Sequence, residues 1–175
     1  MRCSVFIATS LDGFIARTDG RLDWLSIVAR DGEDYGYRAF HDSIDTIVFG
    51  RKTYDTALSF EQWPYTGKRY IVVTHRPTAP THGEEFFTGS VEQLVERLTD
   101  EGARHVYVDG GSIIRQFIAA GLIDDLTVSV IPILLGEGLP LFGTIGHDLR
   151  LKLIRTKAFE SGLVQLTYEP IKSST

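Results

Sequence analysis

One stretch constrains this chain more than any other: Val106-Tyr107-Val108-Asp109-Gly110-Gly111-Ser112-Ile113-Ile114. A short apolar run of strand character passes through two glycines into a helical pattern. Ile113, Ile114, Phe117 and Ile118 then share one stripe, and Gly121 is its stop. Ser112 is a candidate N-cap, its hydroxyl able to take an orphan amide of the first turn. Two glycines at such a turn let backbone amides approach a ligand with no Cβ in the way, and a helix N-terminus favours an anion. A nucleotide pyrophosphate is the natural candidate. Gly110-Gly111 is equally compatible with a plain tight turn and lacks the spacing of the Rossmann or P-loop fingerprints, so its meaning depends on the rest of the chain.

That rest is an ordinary globular composition. At 175 residues, 43% hydrophobic and 23% charged, the chain suits a single domain over 1–175 with a proper core. A net charge of −5 argues against nucleic acid or an anionic membrane as partner, since either would want a basic face. Cys3 is the only cysteine, which excludes an intrachain disulfide and a cysteine-rich metal site and fits a reducing cytoplasm. Val5 to Ala8 is too short for a signal peptide or a membrane span, so a cytoplasmic location is expected. The histidines at 41, 75, 82, 105 and 147 have no metal-ligand spacing, and no metal is expected.

Strand-like runs alternate with helical ones. Cys3 to Thr9, Ile44 to Phe49, Arg69 to Thr74, Val106 to Val108 and Leu126 to Ile131 read as strands, with Glu85 to Thr88 adding a brief one. Helices are expected from about Glu33 to Ser43, with Tyr37, Phe40 and Ile44 inward, and over Lys52 to Leu58. Another runs from Ser90 to Leu98, where Ser90 and Gln93 have the spacing of a capping box. Leu151 to Phe159 and Leu163 to Glu169 alternate around Ser161-Gly162 as a hairpin. The expected fold is therefore α/β: a mixed sheet, mostly parallel, with an antiparallel C-terminal hairpin and helices on both faces. Ligands of such sheets bind at the carboxyl ends of the strands. Three of those ends carry anion-binding chemistry: Gly50-Arg51-Lys52-Thr53, Thr74-His75-Arg76 and Gly110-Gly111-Ser112. In an acidic protein, three such ends point to a polyanionic cofactor.

The motifs then become specific. Ala8-Thr9-Ser10-Leu11-Asp12-Gly13-Phe14-Ile15-Ala16, Val48-Phe49-Gly50-Arg51-Lys52-Thr53-Tyr54 and Val108-Asp109-Gly110-Gly111-Ser112 resemble the dihydrofolate reductase-like superfamily. Gly121-Leu122-Ile123-Asp124-Asp125-Leu126 and Pro132-Ile133-Leu134-Leu135-Gly136-Glu137-Gly138, leading to Leu141-Phe142, are more similar to its riboflavin branch, the reductase domain of bifunctional deaminase-reductases. Together these pieces cover nearly the whole chain in order, with no deaminase domain beside them.

The resemblance implies an NADPH-dependent reductase of a small heterocycle, most similar to a 5-amino-6-(5-phosphoribosylamino)uracil reductase. By position, Ala8, Ile15 and Ala16 would border the nicotinamide. Gly50, Arg51, Lys52 and Thr53 would hold the pyrophosphate side, with Gly110, Gly111, Ser112 and Ile113 covering it. Thr74, His75 and Arg76 would meet the adenosine 2′-phosphate; neither Gly50-Arg51-Lys52 nor Thr74-His75-Arg76 offers an acidic residue to prefer the 2′-hydroxyl of NADH. Gly136, Glu137 and Gly138 would complete the substrate edge, with Trp24 on the substrate side. Asp34 falls where dihydrofolate reductases carry their single acid, and in an apolar cleft such a group takes a raised pKa. It reads equally as a solvated helix-entry acid beside Asp31 and Glu33. Asp109 stands where the riboflavin branch has glutamate, and could face the substrate or cap the turn. A pterin reductase and a non-catalytic nucleotide-binding module of the same fold are the alternatives. Relatives of the riboflavin branch pair, and the apolar run Ile131 to Leu135 with Leu139 to Phe142 fits a homodimer surface.

Overall fold

Apolar runs of four or five residues, each closed by a glycine or a polar turn, become the central strands. The computed structural model describes residues 1–63 and 65–171. Its first half holds β1 (Arg2–Ser10), β2 (Phe14–Ala16), a 3-10 turn (Asp23–Val28), α1 (Tyr37–Ser43), β3 (Thr46–Gly50), α2 (Arg51–Leu58), β4 (Arg69–Val73) and β5 (Glu85–Phe87). The second half holds α3 (Val91–Asp100), β6 (His105–Asp109), α4 (Gly111–Ala119), β7 (Asp125–Ile131), β8 (Leu139–Pro140), β9 (Leu151–Ala158) and β10 (Val164–Pro170). The main sheet runs β5-β4-β3-β6-β1-β7-β10-β9. Its first six strands are parallel, while β10 is antiparallel to β7 and β9 to β10. This is the expected mixed α/β sheet.

Alternation along the strands splits the core in two. Val48, Ile71, Val106 and Val108 face α3 and α4, where Leu94, Leu98, Ile113, Ile114, Phe117 and Ile118 are buried. Ile47, Phe49, Tyr70, Val72 and Tyr107 face the other way, against Tyr54 and Ala57 of α2 and Phe40 of α1. Helices thus cover both faces. Toward the antiparallel end the second face changes character: Thr127, Ser129 and Gln165 are buried polar residues on it.

Two expected helix starts shift. The helix anticipated from Glu33 begins only at Tyr37, because Gly32, Tyr35 and Gly36 take left-handed φ values of 79°, 55° and 83° that no continuous helix can hold. Tyr37 is exposed and Phe40 half-buried, so of the three inward residues expected only Ile44 is fully buried. The cap of α4 is Gly110, with φ 83°, rather than Ser112, which is an exposed residue of the first turn. By contrast α3 carries its anticipated capping box: Gln93 N donates to Ser90 Oγ, and Ser90 N to Gln93 Oε1 at 3.0 Å. In the apolar run proposed for dimerisation, Ile131 and Leu141 are core residues, leaving Leu134 and Phe142 as its strongly exposed members. Among the described residues no helix is long and apolar enough to cross a membrane.

Candidate functional site

Four adjacent parallel strands bring the anticipated residues to one edge of the sheet. Thr74-His75-Arg76 follows β4, Gly50-Arg51 closes β3, Gly110-Gly111 follows β6, and Ser10 ends β1. Gly50 pairs with Val73 and Phe49 with Asp109, so these ends lie side by side. At about 4.8 Å between strands, β4 to β1 spans roughly 14 Å, room for a diphosphate with a nucleoside at each end.

The two helices that start here are open. Neither Gly50 nor Gly110 gives its helix a side-chain cap, and the first amides of α2 and α4 have no acceptor within their own helices. Both glycines sit in close contact, Gly110 the more tightly. A Cβ on Gly50 would stand 3.1 Å from Ile113 Cγ1, and one on Gly110 only 2.2 Å from Thr53 Oγ1. Small residues therefore let the two N-termini converge. Ile113 itself is buried in the core and its amide donates to Gly110 O, so the outward donors of α4 are Gly111 and Ser112.

Gly111 is held from a third side. A Cβ there would meet Ile15 Cδ1 at 2.9 Å and Pro140 O at 3.2 Å, the latter from the β2–β8 pair that folds over the turn. Arg115 Nη1 donates to Pro140 O at 2.7 Å and fastens that pair to α4. Asp12 fastens its other end, accepting Ser10 Oγ at 2.6 Å and the amides of Leu135 (3.1 Å) and Gly136 (2.8 Å). The Ser10 hydroxyl and these amides hold the Asp12 carboxyl below its usual range. Gly138 packs on β2 so closely that a Cβ would lie 2.4 Å from Ala16 O. Gly138 thus packs on Ala16, which is buried, while Gly136 is tied to Asp12; Glu137 is exposed, and none of the three glycine-loop residues lines the cleft. Asp12 was missed as a site residue. Its place in an Asp-Gly turn was legible, but the two amides it accepts lie more than 120 residues away.

Cations sit at the β3 and β4 ends with different duties. Arg51 Nε donates to Asp55 at 2.7 Å and its Nη1 to Arg76 O at 3.0 Å, tying the two strand ends together. Lys52, His75 and Arg76 are exposed, and the Arg76 side chain has no ion-pair partner among the described residues. Thr74 is buried and its Oγ1 accepts Arg76 N at 3.1 Å, fixing the loop that presents Arg76.

Between β1 and α1 opens a cavity of about 280 Å³, lined by Ala8, Asp34, Tyr37, Ser129, Ile131 and Leu163 among others. Trp24 is packed with Ile131 and Leu163 in the cleft wall rather than on its lining, and its Nε1 is buried without a partner among the described residues. Asp34 is exposed and accepts the amides of Gly36 at 2.9 Å and Arg38 at 3.0 Å. Those amides hold its carboxyl below the usual range, the reverse of the raised value weighed for it. Asp109 has the opposite surroundings. Burial raises its pKa, only partly offset by Tyr65 Oη at 3.0 Å and Gly110 N at 2.8 Å, both donating to it. It is absent from the cleft lining; its carboxylate fixes the glycine turn.

Comparison with known proteins agrees with this architecture. The family model of the RibD C-terminal domain matches residues 3–165. The Bacillus subtilis (strain 168) protein YwjB, itself uncharacterized, is 34% identical over 167 residues, 94% of this chain and 95% of its own. A crystal structure of a Shewanella sp. PV-4 protein proposed to act in riboflavin biosynthesis superposes with a TM-score of 0.93 at 36% identity, covering 98% of this chain and all of that one. Dihydrofolate reductase from Enterococcus faecalis shares the fold alone, with a TM-score of 0.71 at 19% identity over 98% of this chain and 97% of its own. With the match running from β1 into β10, across every strand end that builds the site, the chain belongs to the RibD C-terminal domain family.

Proposed function

We propose that the protein is an NADPH-dependent reductase of a small heterocycle, of the 5-amino-6-(5-phosphoribosylamino)uracil reductase type. One observation carries the reading: two uncapped helix N-termini meet at adjacent strand ends, one pairing step from the strand that floors the cleft. Such a pair of open helix ends is an anion site by construction. Gly50, Arg51, Lys52 and Thr53 with Gly110, Gly111 and Ser112 would hold the pyrophosphate. Arg76, steadied through Thr74 and Arg51, would meet the 2′-phosphate beside His75. Ala8, Ile15 and Ala16 would border the nicotinamide, which supplies the hydride when bound.

The chain's own groups then divide the remaining work. Ionised and amide-bound, Asp34 is an acceptor that orients an N–H of the heterocycle at the cleft mouth. Asp109 positions Gly110. The unpaired Trp24 indole N–H would be satisfied by a polar ligand or a water in the cleft wall, since a buried donor left unmade costs about 1–3 kcal/mol. The clamp built by Asp12, Gly136 and Gly138 keeps β2 over the reacting ring. A homodimer completes the reading, and light scattering at micromolar concentration tests it; a monomer there contradicts it.

Titration of NADPH fluorescence followed by oxidation with phosphoribosyl pyrimidines and with dihydropterins tests the function. Oxidation by the pyrimidine is expected. Oxidation by dihydropterin alone would assign a pterin reductase, binding without oxidation a nucleotide-binding module, and no binding would end the reading.

A further inference from the structure

The polar turn of the second sheet face has a use. Along β7, Leu126, Val128 and Val130 pack toward α3 and α4, while Asp125, Thr127 and Ser129 point the other way. A sheet face that is covered by a helix is normally apolar. Here α1 is only seven residues long, and a cavity opens beside it toward β10 and β9. A groove of about 380 Å³ results, floored by Thr127, Gln165 and Thr167. Phe6 and Tyr35 line both this groove and the cleft between β1 and α1, so the two cavities share a wall.

The charge of the groove is opposite to that of the protein. Arg2, Arg155 and Lys157 line it against one carboxylate, Asp125. That carboxylate is already engaged, accepting Arg2 Nε and Ser4 Oγ, each at 2.7 Å. Arg155 and Lys157 stand two apart on β9, on the same face, and neither has an ion-pair partner among the described residues. Lys157 Nζ rests 4.3 Å from the Phe159 ring centroid, which holds it at the rim. Unpaired cations over a polar, half-enclosed floor match a ligand with acceptor oxygens and negative charge.

We propose that this groove is a subsite for an anionic arm, phosphate or carboxylate, of the ligand whose ring occupies the adjoining cleft. The arm passes Tyr35 and Phe6, crosses Thr127 and Thr167, and ends at Arg155 and Lys157. The proposal rests on reading the cleft as the substrate site, but its test needs no turnover and no NADPH.

Uridine 5′-monophosphate, uridine and ribose 5-phosphate are titrated separately into the isotope-labelled protein and followed by amide chemical shifts. The nucleotide is expected to shift Ala8 and Tyr37 together with Thr127, Arg155 and Lys157, and to bind at least tenfold more tightly than uridine. In the variant carrying Arg155→Ala and Lys157→Ala, both exposed positions, that advantage disappears while uridine binding and thermal stability stay unchanged. Three results overturn the proposal: equal affinity of nucleotide and uridine, phosphate-dependent shifts only at Gly50 to Thr53 and Gly110 to Ile113, or groove shifts from ribose 5-phosphate with none in the cleft. The last would identify a separate anion site. Failure of NADPH to bind would remove the reductase reading while leaving these shifts to be judged on their own.

Discussion

The N-terminus of α3 is finished and those of α2 and α4 are not. Ser90 and Gln93 close the first turn of α3 with a reciprocal pair of hydrogen bonds. At α2 and α4 the cap position is a glycine, no side chain closes the turn, and both ends face the same strip of the sheet edge. A cap is worth about 1 kcal/mol to a helix. The chain takes that stabilisation where a helix only has to fold and forgoes it where amides must stay available. An unfinished helix end is thus a functional signature, and the comparison can be broken at either side.

The largest effect is expected at Gly111. Gly111→Val pushes a branched side chain into Ile15 and Pro140 O, lifting the β2–β8 pair from the turn. Overpacking of this kind costs about 1–3 kcal/mol of stability, yet the core beneath α4 stays apolar and intact. A folded protein with at least a hundredfold weaker NADPH binding is expected, on the order of 3 kcal/mol. Near-parental binding in a folded variant would mean that the Gly-Gly turn holds no phosphate.

A smaller loss is expected from Arg76→Ala. One charge-assisted contact is worth about 1.5–3 kcal/mol, and the lower end applies at this exposed position, so NADPH binding should fall about tenfold. NADH binding should not change. Equal losses for both cofactors, or none, would place Arg76 in solvent and leave the cofactor preference without a cause.

The acids separate by pH in the same spirit. Burial raises the pKa of Asp109 in the fold above its unfolded value, so the native state holds that proton more tightly. Stability contributed by this group is therefore present at acid pH and declines as pH rises through that interval. Asp109→Asn should abolish this decline and keep a carbonyl acceptor at the turn. Glu84 has the opposite sign. Burial alone would raise it, but Tyr54 Oη and the amides of Thr81 and His82 bring it to about 2. Its contribution is present above the unfolded value and is lost as pH falls toward about 2. A urea-denaturation series across acid pH on Asp109→Asn and on Glu84→Gln should show slopes changed in opposite directions. Parallel changes would contradict the assigned environments.

The smallest effect sharpens the comparison from its finished side. Ser90→Ala removes the α3 cap and should lower stability by about 1 kcal/mol while leaving NADPH binding untouched.

Local chemistry made much of this readable in the sequence. Apolar runs ending in glycine marked β3 and β6, Ser90 and Gln93 marked α3, and the alternating tail marked the β9–β10 hairpin. That the motifs carrying cations and glycines stand at strand ends followed from the alternation of elements; the order of those strands in the sheet did not. What was not readable depends on distant partners. The start of α1 moved because Tyr35 is held left-handed, its hydroxyl bonded to Ser161 and its carbonyl accepting from Gln165 Nε2, more than 120 residues away. Ser112 had the right chemistry for a cap but stands past the turn that Gly110 makes. Gly136 and Gly138 looked like a ligand edge because glycine signals close approach; the approach is to Asp12 and β2. The cationic groove was invisible because Arg2, Arg155 and Lys157 meet only across four paired strands.

Amide chemical shifts on addition of NADPH test the central claim most directly. The largest changes are expected at Gly50, Arg51, Lys52, Gly111 and Ser112, with none at Val91 to Gln93 of the capped helix. Shifts confined to other regions, or comparable shifts at α3, would contradict it.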